Sequence, residues 1–385
     1  MVSWKKTTIG ECANIVSGGT PSTVVSEFWG GDILWCTPTD ITKAKNKFLS
    51  RTERTITERG LHKSAAVLLP IGTILLCSRA TIGEACITTK PISTNQGFKN
   101  LVCYNHVSNE FLYYLIQTKI GAMFELAIGS TFLEISKSAL ASIEIRLPDL
   151  NKQRKIATIL SSTDELIDML EKLIKKKSSI KEGTVRDLLM CKYRAPGFTE
   201  KWKIKKLGEL CNPQKGETIT SIEIKEGNTP VVAGGRDIAY YHNKANRKPK
   251  IITISASGAN AGYVNFWTCE IFASDCTTIE DSDEYDVKFV YYTLLNSQKK
   301  VYALQTGGAQ PHVQPPQLKE LEFGFPESIT EQTTIAEIIS DMDAEIDALT
   351  AKLNKLRNIK EGMMSELLTG RIRLNGDGAE DDKDQ

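Results

Sequence analysis

Residues 153–189, QRKIATILSSTDELIDMLEKLIKKKSSIKEGTVRDLL, and residues 332–368, QTTIAEIISDMDAEIDALTAKLNKLRNIKEGMMSELL, decide how this chain is built. At an offset of 179 they share Gln153/Gln332, Ile156-Ala157/Ile335-Ala336, Asp164/Asp343, Ile167/Ile346, Leu170/Leu349, Lys181-Glu182-Gly183/Lys360-Glu361-Gly362 and Leu188-Leu189/Leu367-Leu368. In the second copy, Ile335, Ile339, Met342, Ile346, Leu349, Leu353, Leu356, Ile359 and Met363 fall mostly in alternating steps of four and three. That is the heptad pattern of a coiled-coil seam. The first copy runs Ile156, Leu160, Thr163, Ile167, Leu170, Ile174 and weakens at Lys177. Each reads as a helix of roughly 40 residues, ~60 Å long, with Asn151 and Thr330 as expected N-caps. Gly183 and Gly362 each cost about 1 kcal/mol in a helix interior. Their matched positions predict a close contact or a kink, against the alternative of a tolerated fault.

Charge sets the expected pairing. In the first helix, Asp164, Glu165, Asp168 and Glu171 precede Lys172, Lys175, Lys176, Lys177 and Lys181. In the second, Glu337, Asp341, Asp343, Glu345 and Asp347 precede Lys352, Lys355, Arg357 and Lys360. Parallel packing would set like charge beside like; antiparallel packing sets each block against its opposite. The expected register brings Lys176 near Ala344 and Asp168 near Lys352. The seam is then Ile167, Leu170 and Ile174 against Ile346, Leu349, Leu353 and Leu356. Exposed ion pairs contribute only ~0–1 kcal/mol, so the apolar seam supplies stability and the charges choose orientation. The alternative is two solvated helices packed elsewhere.

The repeat extends upstream. Trp4-Lys5 and Gly10-Glu11 recur as Trp202-Lys203 and Gly208-Glu209, an offset of 198. Phe111-Leu112-Tyr113-Tyr114, Gly129, Leu140, Glu144 and Pro148 recur as Phe289-Val290-Tyr291-Tyr292, Gly307, Leu318, Glu322 and Pro326, an offset of 178. The first copy therefore holds 20 extra residues before Phe111. Val67-Leu68-Leu69, Thr73-Ile74-Leu75-Leu76-Cys77 and Lys250-Ile251-Ile252-Thr253-Ile254 are β-rich runs between breakers. Residues 111–126 and 287–304 read as amphipathic helices. The expected fold class is α+β: two α/β heads joined by two long helices in an antiparallel coiled coil, with a pseudo-two-fold internal repeat. The expected domains are a first head at 1–149, a first spacer helix at 150–197, a second head at 198–326, a second spacer helix at 327–370 and a tail at 371–385.

Composition narrows the function. A chain of 385 residues suits two or three domains. With 41% hydrophobic and 25% charged residues it reads as globular, not disordered. No apolar run approaches the roughly 18–20 residues of a membrane span. Met1-Val2-Ser3-Trp4-Lys5-Lys6 lacks the apolar core of a signal peptide. A cytoplasmic location is expected, with reduced thiols for the nine cysteines, which include no CxxC pair. The net charge of +1 hides an acidic tail containing Asp377, Glu380, Asp381, Asp382 and Asp384. The remaining mild basic excess permits nucleic-acid binding without demanding it. The four histidines lie far apart and form no metal-ligand spacing. No Gly-Lys dipeptide exists, so there is no Walker A motif; GxGxxG is also absent. Gly18-Gly19-Thr20-Pro21 reads as a turn rather than a phosphate cradle. No carboxylate pair or triad stands out, so no catalytic residue and no metal site is expected.

The heads do carry basic stretches. Between positions 43 and 63 lie Lys43, Lys45, Lys47, Arg51, Arg54, Arg59 and Lys63 against Glu53 and Glu58. In the second head Lys244, Arg247, Lys248 and Lys250 follow one another without an acid. One such run is usually a solvated loop. Phosphate neutralisation needs such residues, Arg and Lys also suit base-edge readout, and two runs in two repeated heads set the nucleic-acid reading level with the solvated loop.

Together these residues resemble the specificity subunit of type I restriction–modification systems, over nearly the whole chain. The resemblance rests on Trp4 with Ile9-Gly10, on Ser17-Gly18-Gly19-Thr20-Pro21-Ser22, and on Ser78-Arg79-Ala80-Thr81-Ile82-Gly83. It rests further on Pro148 with Gln153-Arg154-Lys155-Ile156-Ala157, on Glu331-Gln332 with Ile335-Ala336, and on Leu367-Leu368-Thr369-Gly370-Arg371-Ile372-Arg373-Leu374. The second head departs from it, with Lys215-Gly216-Glu217-Thr218 in place of the Gly-Gly-Thr-Pro turn. The resemblance implies two target recognition domains, each reading half of a split double-stranded DNA sequence, and adds Arg79 to the candidate DNA contacts. It implies helices that act as a ruler and dock two methyltransferase subunits, which bind S-adenosylmethionine and methylate adenine. Restriction subunits would join them, with ATP and magnesium also on the partners and no cofactor on this chain. Two rival readings remain: a two-headed adaptor for proteins or glycans, and a hydrolase with an unrecognised site.

Overall fold

The computed structural model describes residues 4–44, 46–129, 133–220, 223 and 225–372. Two long helices run unbroken, Leu150–Leu189 and Ile329–Leu367, of 40 and 39 residues. Both begin slightly earlier than the sequence suggests. Asp149 Oδ1 accepts the Lys152 N–H at 2.9 Å. Ser328 Oγ accepts the Glu331 N–H at 3.4 Å. These two, 179 apart, are the caps; Asn151 and Thr330 lie inside the helices. A close contact at Gly183 and Gly362 is also corrected: a Cβ at either position would meet open space. The helices pass through both glycines at the ordinary helical penalty.

The contacts divide the chain into two units, Met1–Lys172 with Ala351–Gln385, and Leu173–Thr350. Each unit thus contains one head, the start of the helix that follows that head, and the end of the other helix. In the first unit Lys360 pairs with Asp164 at 2.6 Å and Arg357 with Glu171 at 2.6 Å. In the second, Lys177 pairs with Glu345 at 2.7 Å, and Lys181 pairs with Asp343. The helices are antiparallel in both. The register differs by about one turn from the expected one: Asp164 meets Lys360 where that register would bring Leu356. Of the expected seam, Leu170 and Leu353 are buried, and Ile167, Ile174, Ile346, Leu349 and Leu356 are half-buried.

In the first unit, Lys5–Thr8 pairs antiparallel with Glu144–Leu147 at the base of the head. A five-stranded sheet has the order Ala13–Ser17, Lys99–Cys103, Ile74–Leu76, Ala85–Thr88, Phe48–Leu49. A three-stranded sheet has the order Arg54–Ile56, Trp29–Cys36, Ile92–Thr94. The second unit repeats the base pairing with Lys203–Lys206 and Glu322–Phe325. Its larger sheet has four strands, Gln214–Lys215, Cys276–Ile279, Ile251–Ser255 and Val264–Trp267. The smaller one has the order Tyr240–His242, Thr229–Val232, Phe272–Ala273. The longer first head thus carries an additional short edge strand. Val67-Leu68-Leu69 forms only a bridge from Leu69 to Ile92, because Pro70 offers no donor to extend it.

The expected helices after the sheets are each broken in two. Asn109–Gln117 and Ile120–Leu126 are separated at Thr118, whose hydroxyl donates to the Leu115 carbonyl at 2.7 Å. Val287–Asn296 and Gln298–Tyr302 meet at Ser297. At Thr118 the short hydroxyl side chain thus competes for a helical carbonyl.

Each head is fixed to its helix by the same contacts. The first core joins Phe111, Leu112 and Leu115 to Ile156, Ala157 and Leu160, with Leu367 and Leu368 from the end of the second helix. The other joins Phe289, Val290 and Leu294 to Ile335, Ala336 and Ile339, with Leu188 from the end of the first helix. Gln153 is buried and accepts the Ser108 N–H at 2.8 Å while donating to the Pro148 carbonyl at 2.9 Å. Gln332 does the same with the Asp286 N–H at 3.0 Å and the Pro326 carbonyl at 3.0 Å. Ser108 and Asp286 are themselves the N-caps of the head helices. Gly10 and Gly208 are needed where the base packs tightly. A Cβ would stand 3.0 Å from Ala141 Cβ in one and 2.8 Å from Lys319 Cβ in the other.

Candidate nucleic-acid interface

The basic residues of the first head separate into an exposed set and an inward one. Lys43 ends the short helix Pro38–Lys43, which Asp40 organises by accepting the N–H groups of Thr37 and Glu53, each at 2.8 Å. Lys43 is exposed and reaches Glu53 at 3.0 Å. Arg51 is exposed and forms no ion pair among the described residues. Both border an open cleft with Asn46, Phe48 and Thr52. Arg54, on the edge of the smaller sheet, lays its guanidinium 3.6 Å from the centre of the Trp29 ring. Trp35, at right angles to Trp29, backs this stack and donates its indole N–H to the Gly19 carbonyl at 3.0 Å. A cation–π contact of this kind contributes ~0.5–1 kcal/mol when exposed, and it holds the arginine outward. Arg79 is also exposed, next to Ala80 at φ 65. Lys45 lies outside the described residues.

Lys47 is placed differently. It is buried, and its ammonium meets Glu110, Tyr114 and Ser161. It ties the edge of the head to the first long helix and presents no free charge to a ligand.

The second head divides in the same way. Lys244 and Lys248 are exposed and form no ion pair among the described residues. Lys250 is exposed at φ 60, with Asp281 3.9 Å away. The Arg247 side chain is only 8% exposed. Its Nε donates to Thr278 Oγ1 at 3.0 Å, and its Nη atoms donate to the carbonyls of Asn246 and Lys215. Glu217 and Glu280 lie 3.5 and 3.4 Å away. Arg247 therefore braces the Lys215–Glu217 segment against the sheet. That segment replaces the Gly-Gly-Thr-Pro turn of the first head. There Gly18 is required by close packing, since a Cβ would collide with the Thr94 and Asn95 backbone.

Both heads thus present basic, partly aromatic rims on a hydrogen-bonded scaffold. Phe48 and Tyr241 are 42% and 53% exposed beside these residues. The Trp29–Arg54 stack is not legible in the sequence, because its members are 25 positions apart. Their one available signal is a tryptophan at the start of a β-rich run. Among the described residues, no group of three or more His, Cys, Asp or Glu is placed to hold a metal ion. No helix among them is long and apolar enough to cross a membrane.

Comparison with known proteins gives these features a family. A specificity subunit of the type I restriction enzyme MjaIX from Methanocaldococcus jannaschii is 35% identical over 246 residues, 59% of this chain and 56% of the relative. That of EcoR124I/EcoR124II from Escherichia coli is 27% identical over 49% of this chain and 48% of its own length. The chain therefore spans about half the length of these two relatives. The MjaVIII specificity subunit, also from M. jannaschii, is 22% identical over 96% of this chain and 93% of its own length. Among solved structures, the S subunit of a type I restriction–modification system from M. genitalium shares the fold. Its TM-score is 0.67 at 20% identity, covering 95% of this chain and 96% of that one. The sequence model described as "Type I restriction modification DNA specificity domain" matches residues 1–179 and again 199–358, so the chain belongs to the family of type I restriction–modification DNA specificity subunits.

Proposed function

We propose that this chain reads a bipartite, interrupted DNA target on behalf of a type I restriction–modification complex, one half-site per head, without catalysing a reaction itself. The observation that carries this reading is the duplication. Each family-matched copy is a head seated on a long helix through the same Gln, Tyr and apolar contacts, while the two rims differ in their basic side chains. Such a chain suits two different half-sites, one for each head. Lys43, Arg51, Arg54 and Arg79 in the first head, and Lys244, Lys248 and Lys250 in the second, are the proposed DNA contacts. Lys47 and Arg247 support them from within. The long helices carry the docking surface for two methyltransferase subunits, with S-adenosylmethionine bound there. Restriction subunits, ATP and magnesium join through the complex, in the cytoplasm.

The test is duplex binding by the chain together with its methyltransferase subunits across a salt series. A steep fall in affinity with salt is expected, together with adenine methylation confined to one split sequence. Salt-independent binding, or binding to proteins or glycans in place of DNA, would favour the adaptor reading.

A further inference from the structure

Three side chains meet in each unit in the same way. In the first, Tyr114 Oη donates to Asp164 Oδ2 at 2.6 Å, and Lys360 Nζ meets Asp164 Oδ1 at 2.6 Å. In the second, Tyr292 Oη donates to Asp343 Oδ2 at 3.0 Å, and Lys181 Nζ meets Asp343 Oδ1. Tyrosine comes from the head, aspartate from the helix that follows it, and lysine from the antiparallel helix. One carboxylate therefore joins three elements, one oxygen for the head and one for the opposite helix. All three residues match across the repeat.

We infer that Tyr114–Asp164–Lys360 and Tyr292–Asp343–Lys181 are positioning residues that set the tilt of each head on its helix pair, and thereby the half-site spacing that the chain accepts. This inference rests on the DNA reading proposed above. Gln153 and Gln332 pin each head near the start of its helix. The aspartate stands 11 residues further along, about 16 Å at 1.5 Å per residue. The glutamine and the apolar core seat the head near the start of its helix, and the aspartate junction adds a polar contact about 16 Å beyond the glutamine that resists tilting about that seat. The lever is sensitive: a base-pair step of about 3.4 Å corresponds to a tilt of only about 6° across a head roughly 30 Å wide. A hydrogen bond to a charged acceptor is among the stronger ones available, and burial of both phenols, with the adjacent carboxylates, raises their pKa and keeps the donor protons in place.

The surroundings have diverged while these sets have not. Glu110 beside Tyr114 corresponds to Lys288 beside Tyr292. Ser161 receives its lysine from Lys47, whereas the matching Ser340 receives Lys288 itself at 3.3 Å. The polar bracing beside the two tyrosines has thus been met by different residues in the two units, whereas the three-way junction, like the glutamine and apolar contacts, has been kept.

The experiment uses the full chain with its adenine methyltransferase subunits. The target is read from sequenced methylated DNA of cells that make the complex. Binding is then measured on duplexes with the native spacer and with one base pair added or removed. Tyr114→Phe and Tyr292→Phe each remove one hydroxyl and keep the ring. Each should lower the preference for the native spacer several-fold while leaving half-site base preferences unchanged. Lys181→Met should act like Tyr292→Phe, and Lys181→Arg should retain the preference. An unchanged spacer preference in all variants, or a loss of half-site preference in step with spacer preference, would overturn the inference while leaving the DNA reading intact. Failure of the unaltered complex to bind any split duplex would instead overturn the DNA reading, and this inference with it.

Discussion

Glu331 shows how this molecule treats a charge it buries. Its side chain is 2% exposed, and it accepts two hydrogen bonds from Arg194, at 2.9 and 2.8 Å, and one from the Trp202 indole at 3.1 Å. Removing one partner of such a pair leaves an uncompensated charge, so Arg194→Met should cost about 3–5 kcal/mol, measured by urea unfolding. Lys47 and Arg247 are further instances: Lys47 is satisfied between the head and the first long helix, Arg247 within its own head, and neither is available to a ligand. The exposed lysines make the opposite prediction. Lys244→Ala and Lys248→Ala should leave stability within about 0.5 kcal/mol and each reduce the salt slope of DNA binding by roughly one unit; unchanged slopes would mark the segment as a solvated loop. Charge in a sequence carries no depth, which is why Lys47 and Lys43 look alike there. Depth comes from Glu110 and Ser161, 63 and 114 positions away.

Burial also governs the thiols. Desolvation pushes Cys77, Cys86, Cys103, Cys211 and Cys276 from 9.0 up to about 12. The folded state holds these thiols protonated, so their stabilising contribution is complete below pH 9 and is lost as the pH rises from 9 towards 12. Melting temperature should fall steadily over that range. At neutral pH an alkylating reagent should reach the exposed Cys269 and spare the buried Cys77, Cys86, Cys211 and Cys276.

Among the elements, the long helices are the most legible in sequence, because a heptad pattern repeated at a fixed offset is a local signal. Their ends are less so: Asp149 and Ser328 cap where Asn151 and Thr330 are equally suitable by residue type. The antiparallel direction is readable from charge, but the register is not, since a one-turn slip keeps opposite blocks facing. We propose that Leu353 and Leu170 are the core of the seam. Leu353→Ala should cost ~2–5 kcal/mol, and truncation of half-buried Ile174 should cost less; equal costs would count against a seam centred there. The sheets are the least legible. Ile251–Ser255 and Ile74–Leu76 are buried at every position, so no alternation marks their faces, and Ala13 pairs with Cys103 across 90 residues.

For the whole molecule, the internal repeat is the central fact. It is legible in the amino-acid sequence because two kinds of signal coincide: spacing in the helices and matching aromatics in the heads. The seating of each head is not legible there, since it depends on buried polar contacts such as Gln153 with Ser108 and Gln332 with Asp286. Matching seats and different rims lead to one claim, that half-sites are read separately and spacing is set apart from both. The direct measurement is the methylated sequence in cells producing the complex, before and after residues 1–149 are exchanged for the first head of a relative that keeps a tyrosine at the position of Tyr114. One half-site should change while the other half-site and the spacer stay as they were; a change in both half-sites together would contradict the account.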